Sequence, residues 1–351
     1  MTTEAKTNHR QVVRYEFDTR LKAGETLPVA PGVTWLRSPL PFKTDHINLW
    51  LLEDGDGWTV VDTGIFFDES KVIWQQVFEG PMSGRPIGRV VVTHLHPDHI
   101  GCAGWLAEEF DAPLWMTRGE YLLCRVLVAD TGRSTPMAGA RFYRGAGFEP
   151  GDMMRYHEMF GMFGKYVSHV PESYHRLQAG DYFQIGSNRW QVVIGRGHSP
   201  EHACLFCAEL NVLISGDQLL PAISSNVSVY PTEPGANPLG DWLASLQRLK
   251  ESIPTDVLVL PAHGSPFRGA HDRLDVMIAE HNEGLDKLQD LCREPKRAVD
   301  VFSVLFKSEI NKNNLILATG ESIAHLNYLL TQGCLQVETD RDGINWYHAV
   351  N

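Results

Sequence analysis

The 351-residue chain contains no uninterrupted apolar run of the roughly 18–20 residues that a membrane helix needs, so no membrane partner is expected. Its first residues, MTTEAKTNHRQ, are polar and lack the apolar core of an export signal, which makes the cytoplasm the expected location. Cysteine is scarce. Cys102, Cys124, Cys204, Cys207, Cys292 and Cys334 are scattered without a framework spacing, which excludes the small disulfide-stapled class and reads as free thiols. The one C-x-x-C, Cys204 to Cys207, has no second pair and lies in an apolar, strand-like stretch, so it reads as core. Positive charge is short as well. Lysine and arginine number 31 against 43 acidic residues, a formal net charge of −12, and such a surface would repel a phosphate backbone. A small molecule, not nucleic acid, is the expected partner.

What is present is enough apolar sequence, 43%, for a sizeable core. Strand patterns cover 33–38, 46–53, 58–64 and 88–94, with a helical spacing at 68–79. Asp98 stands where an N-cap belongs, ahead of a helix over 99–110. Residues 118–178, rich in Met, Tyr, Phe, Gly and Arg, read as a helical insertion without strands. Strands resume at 181–186, 189–195, 203–210, 211–217 and 256–264, with helices at 237–252 and 271–293. Pro295 marks a boundary between a main domain, 1–295, and a tail, 296–351. The tail's helices followed by two alternating strands around Asp340-Arg341-Asp342-Gly343 have the pattern of a small winged-helix-like domain. The expected class is α+β.

The chemistry gathers in VVTHLHPDHIG, where an apolar strand ends in His94, His96, Asp98 and His99. His94 and His96 are two apart and project to one side, while Asp98 and His99 leave the turn toward a second point. Four ligands per ion require more than this cluster supplies. His198, Asp217 and His263 each follow an apolar strand, and convergence of successive strand ends on ligand types is hard to assign to chance. The count closes for two divalent ions, with His94, His96 and His198 on one, Asp98, His99 and His263 on the other, and Asp217 bridging. Five imidazoles and two carboxylates suit zinc, and iron or manganese also fit. Two such ions would share a hydroxide nucleophile, and Asp98, able to keep one oxygen free, is the expected proton relay.

His94-x-His96-x-Asp98-His99, Gly197-His198, Gly216-Asp217 and His263-Gly264 together resemble the five-motif signature of the metallo-β-lactamase-fold hydrolases. Asp62 in VVDTG matches the first motif, where the family's aspartate orients the site without ligating. The resemblance spans about 33–270 and implies an αββα sandwich with metals at one edge of two sheets. Asp217, where antibiotic-hydrolysing members with a ligand cysteine differ, is more similar to glyoxalase II, lactonases and RNase Z. The tail is similar to that of the β-lactamase-like branch with a C-terminal winged helix, one member of which cuts RNA.

The leading expectation is a binuclear metal-dependent hydrolase of a thioester, lactone or other ester. A phosphodiesterase or endoribonuclease of the same fold, favoured by the tail and opposed by the charge, is the second. A non-catalytic metal-bearing scaffold or sensor is the third, and the complete ligand set opposes it. A flavin-linked diiron oxidoreductase would want a flavodoxin-like domain that the tail is too short to hold. His202 is a candidate for a supporting or proton-relay role, and Asn226 and Tyr230, on the loop after Asp217, are candidate substrate contacts. Met153, Met154, Met159, Phe160, Met162, Phe163 and Tyr166 offer a deformable apolar surface, either over the metals or in self-association. His157, His169 and His175 read as surface or packing residues.

Overall fold

The computed structural model describes residues 12–42 and 44–350; the polar N-terminal stretch 1–11 lies outside the described residues. One sheet joins β2 (Thr26–Ala30), β3 (Val33–Pro39), β4 (His46–Asp54), β5 (Gly57–Val61), β6 (Ile87–Val91), β7 (Leu114–Thr117) and β8 (His175–Leu177) in that order. The other runs β1 (Arg14–Tyr15), β14 (Phe267–Arg268), β13 (Leu258–Pro261), β12 (Val212–Gly216), β11 (His202–Cys207), β10 (Asn188–Gly195), β9 (Tyr182–Ile185). The first sheet is antiparallel from β2 to β5 and parallel from β5 to β8, whereas the second is antiparallel throughout except for the parallel pair β12–β13.

Strand alternation builds the layers. Along β4, Ile47, Leu49 and Leu51 face one way and Trp50 and Leu52 the other. Trp35, Trp50, Leu52, Val61 and Val91 meet Trp190, Val192, Leu205, Ile214 and Leu260 in the layer between the sheets. Outside the first sheet pack α1 (Asp68–Glu79), α2 (Pro97–Ile100), α3 (Ala103–Phe110) and α4 (Arg118–Ala129). The result is the αββα sandwich. Asn48 bolts its sheets together at the functional edge: its side chain accepts from Trp35 Nε1 and donates to the carbonyls of Pro261 and Gly264.

Residues 118–178 correct the expectation of an all-helical insertion. After α4 come α5 (Met137–Gly145) and α6 (Pro150–Met159), but the segment ends in β8, which pairs parallel with β7. A three-residue edge strand is too short to carry a period of two. The apolar residues divide: Phe163 and Tyr166 pack under the first sheet's helices, Met153 and Phe160 join Tyr143, Phe148 and Tyr156, and Met154 and Met159 are exposed. The expected helix over 99–110 is broken in two, and Asp98 does not cap it. Pro97, with its fixed φ, takes the first helical position, which moves the N-cap back to His96.

The second sheet is covered by α7 (Pro238–Ser252), α8 (Ala270–Leu291) and α10 (Leu315–Thr331). The tail supplies α9 (Phe302–Leu305), α10 and a hairpin of β15 (Leu335–Thr339) and β16 (Asn345–Ala349). Asp340 closes that hairpin, its carboxylate accepting from the amides of Asp342 and Ile344 and from Trp346 Nε1. Most of α10 is buried, Ile323, Leu326 and Leu329 in the same core as Trp242 and Leu246. No helix among the described residues is long and apolar enough to cross a membrane.

Candidate metal centre

Strand ends deliver the site. His94, His96, Asp98 and His99 follow β6, His198 follows β10, Asp217 follows β12, and His263 follows β13. The structure gathers them into two groups, His94, His96, His198 and Asp217 in one, Asp98, His99 and His263 in the other. Asp217 belongs to both by geometry. Its Oδ2 lies 3.4 Å from His198 Nε2 and 4.0 Å from His94 Nε2, and its Oδ1 lies 3.4 Å from His263 Nε2 and 3.6 Å from His99 Nε2. Asp98 Oδ2 is 3.5 Å from His263 Nε2 and 3.8 Å from His99 Nε2.

The outward ring nitrogens are held, which turns the inward ones to the centre. His99 Nδ1 bonds Asp62 Oδ2 at 2.7 Å, His198 Nδ1 the carbonyl of Asn226 at 2.7 Å, and His263 Nδ1 the carbonyl of His46 at 2.8 Å. Carbonyl and carboxylate acceptors require the proton on Nδ1, leaving the Nε2 lone pair inward. His94 Nδ1 lies 3.1 Å from the Thr93 hydroxyl, and that residue's amide and hydroxyl both donate to Asp62. Asp62 is left-handed, with φ 60°, a conformation costly for a non-glycine residue, and its two oxygens are fully used there.

These donors fit divalent cations. His94 Nε2 is 2.8 Å from His96 Nδ1 and 3.2 Å from His198 Nε2, so three lone-pair atoms converge where one proton could serve only one pair. His99 Nε2 and Asp217 Oδ1 are buried with no hydrogen-bond partner within the protein. Burial and the neighbouring imidazoles push His94 well down and His96 down to about 3, so both are neutral at physiological pH. Burial opposes the charge on His99 and His263, but the carboxylates of Asp62, Asp98 and Asp217 outweigh it at His99, and those of Asp217 and Asp98 at His263, so both are raised. Burial likewise opposes the charge on Asp217, but His263 and His99 outweigh it and hold its carboxyl well below the usual range. Converging imidazoles and ionised carboxylates match the ligand types of such ions.

His202 lies against this group. Its Nε2 accepts the amide of Asp217 at 3.0 Å and its ring stacks on His94 at 4.7 Å. Gly216, at φ 49°, makes that contact possible: a Cβ there would stand 2.5 Å from His202 Nε2. Asn226 lies beside His198, but its side-chain amide is engaged within the protein, donating to Glu321 Oε2 at 2.7 Å and accepting from Ser228. Tyr230 is 40% exposed. Cys204 and Cys207 are buried free thiols, Cys204 donating to the Ser215 carbonyl. His157 pairs with Thr135, His169 with Glu108, and His175 stacks on Trp115, all away from the centre.

A sequence model of the metallo-beta-lactamase superfamily matches residues 43–263. The chain belongs to the metallo-β-lactamase superfamily. A second model, the C-terminal domain of metallo-beta-lactamase-like proteins, matches residues 285–350 of this superfamily member. A crystallised beta-lactamase domain protein from Burkholderia ambifaria is 40% identical over 97% of this chain and 99% of its own, with a TM-score of 0.89. A probable metallo-hydrolase of Bacillus subtilis, YqjP, is 26% identical over 84% of this chain and 91% of its own length. Human acyl-coenzyme A thioesterase MBLAC2 is 21% identical over 67% and 79%.

Three further residues belong to this superfamily site that the motifs did not point to. His46 accepts the amide of Gly264 on its Nε2 while its carbonyl holds His263. Glu120, fully buried in the first turn of α4, accepts the amide of Leu95 at 3.0 Å and that of Glu201 at 2.7 Å. It thereby ties the His94–His96 loop to the loop that follows His198. Glu321 of α10 holds Asn226. No local pattern marks any of them, since each acts on partners distant in sequence.

Proposed function

We propose that this superfamily member is a binuclear metal-dependent hydrolase of thioesters or related carboxylic esters with a bulky apolar group. The observation that carries the reading is Asp217, whose two oxygens each face one of the two histidine groups. His94, His96 and His198 would hold one cation, Asp98, His99 and His263 the other, with Asp217 common to both; zinc suits the donor set. When bound, such cations supply Lewis-acid activation of water and of the scissile carbonyl. Asp98 is the residue placed to carry a proton toward the leaving group. Burial raises its pKa, but His99 and the bond to His263 outweigh this and hold it at about 2. It is therefore ionised at neutral pH, the form in which it would hold a cation.

Phe42 and Phe67, on the loops that follow β3 and β5, meet Tyr166 at 6.5 and 5.6 Å between ring centroids. Exposed Tyr230 lies on the loop after Asp217, and exposed Leu317 on α10, where its carbonyl accepts from the Asn226 side chain of that loop. Exposed apolar side chains of this kind suit an acyl chain better than a polyanion. The relationship to an acyl-coenzyme A thioesterase supports the same substrate class. The RNA-cleaving alternative is disfavoured by α10, most of which is buried, because a recognition helix must offer a free face.

The test is hydrolysis of acyl-CoA thioesters of graded chain length, S-lactoylglutathione, a homoserine lactone and single-stranded RNA, with and without chelator and beside His96→Ala. Chelator-sensitive thioester turnover that the variant lacks is the expected result. RNA cleavage under those controls would overturn the reading.

A further inference from the structure

Four ligand histidines have an outward nitrogen held by the rest of the protein, and one differs in what stands behind it. His94 rests on Thr93, His99 on Asp62 and His263 on the carbonyl of His46, all residues of the first sheet's strands and loops. His198 rests on the carbonyl of Asn226, in the loop after Asp217. That loop is fastened to the C-terminal helix α10. Asn226 Nδ2 donates to Glu321 Oε2 at 2.7 Å, Ser228 Oγ donates to Asn226 Oδ1 at 2.5 Å and lies 3.2 Å from the Leu317 carbonyl, and Val229 N donates to the Gly320 carbonyl at 3.0 Å. Gly320 permits this approach, because a Cβ there would stand 2.8 Å from Ser228.

We propose that Glu321 is a positioning residue of the metal centre: it fixes Asn226, whose carbonyl fixes the imidazole of His198, so the C-terminal helix completes the His94–His96–His198 group. The inference rests on the reading of His198 as a metal ligand. A rotation of the Asn226 peptide would release His198 Nδ1, and the ring would lose the hydrogen bond that sets its tautomer and orientation. Glu321 holds that peptide through one hydrogen bond, accepted from the Asn226 side chain. The tail thus acts as a component of the hydrolytic centre.

The experiment uses the full chain, first stripped of metal and then titrated with Zn²⁺ against a chromophoric chelator, and in parallel loaded with Co²⁺ for its visible spectrum. Glu321→Ala should weaken one of two Zn²⁺ sites by about 10–100-fold, the usual cost of losing such a supporting contact, and shift the Co²⁺ bands of that site alone. Glu321→Gln should keep wild-type affinity, because its carbonyl oxygen accepts the same Asn226 N–H. Asn327→Ala serves as the docking control. Asn327 anchors α10 through bonds to the carbonyls of Pro234 and Ala236, so its loss should lower the melting temperature and leave Zn²⁺ affinity unchanged. The inference is overturned if Glu321→Ala binds both ions as wild type does, if Glu321→Gln is no better than Glu321→Ala, or if Asn327→Ala loses as much affinity. Fewer than two Zn²⁺ per wild-type chain would overturn it too, and with it the binuclear reading; two ions bound by wild type and an unaffected Glu321→Ala would sink this inference alone.

Discussion

Glu120→Ala isolates the joint between two ligand loops. The wild-type carboxylate is fully buried and accepts two backbone amides, Leu95 N between His94 and His96, and Glu201 N three residues after His198. Removing it strands both amides away from water, at about 1–3 kcal/mol each, or roughly 2–6 kcal/mol together. The carboxylate itself is costly to bury, and burial raises its pKa despite the amide bonds, so part of that sum is offset. A net loss of about 1–3 kcal/mol is expected, the range typical for breaking a buried polar network. Glu120→Gln should fall between wild type and alanine, since its oxygen can accept only from one side while its NH₂ faces the other donor. Differential scanning calorimetry of the metal-stripped proteins reads the stability term free of bound ions. Elemental analysis after reloading reads the site, and less than two equivalents of metal is expected for alanine. A metal-stripped Glu120→Ala that melts with wild type and reloads fully would refute the idea that this carboxylate registers the loops.

Two other perturbations follow from the same geometry. Asp62→Asn keeps shape and tolerates the left-handed backbone, but its amide cannot both accept from His99 Nδ1 and serve Thr93; Zn²⁺ affinity should fall about 10–100-fold, measured by chelator competition. Deep in the helical layer, burial first and then His325 push His281 down to about 3, and burial pushes His325 down to about 4. Because these folded values lie below the ordinary 6.5, the unfolded chain binds more protons in acid. Stability should be whole above pH 6.5 and fall by about 1.4 kcal/mol per pH unit for each group, down to about pH 4 for His325 and about pH 3 for His281. His281→Gln, whose oxygen can accept from Trp242 Nε1, should melt with a shallower slope between pH 6.5 and 4; an unchanged slope would count against this pair.

Legibility in the sequence tracked distance along the chain. The residues that gather at the centre were readable because each sits at the end of an apolar strand, a local signal repeated four times, and Asp62 carried its own VVDTG. The helix over 99–110 was misread at its start, where Pro97 moves the N-cap from Asp98 to His96, and in its break, which arises from a tertiary constraint. At Gly101 a Cβ would stand 2.5 Å from the carbonyl of Gly64 and 2.6 Å from the amide of Phe66, so the chain bends to seat against the Asp62 loop. The edge strand β8, three residues in a region of helical composition, and its neighbour β7, four residues just before that region, escaped the reading. Glu120, His46 and Glu321 carry no signature at all: a buried glutamate in a helix's first turn looks like any helix-favouring acid until the fold brings residues 95 and 201 to it.

The strand order also has a consequence for how the protein is made. Among the described residues β1 pairs with β14 alone, and β14 is reached more than 250 residues later. The centre likewise draws on the loop after β6 and on His263 after β13. While the chain is still emerging from the ribosome, the first sheet can form and carry His94, His96, Asp98 and His99 with nothing opposite them. Those half-built donors could capture stray cations in the wrong arrangement, and release depends on the second sheet closing from the far end. Expression in metal-rich medium is thus a condition under which the yield of correctly loaded protein should depend on the speed of translation.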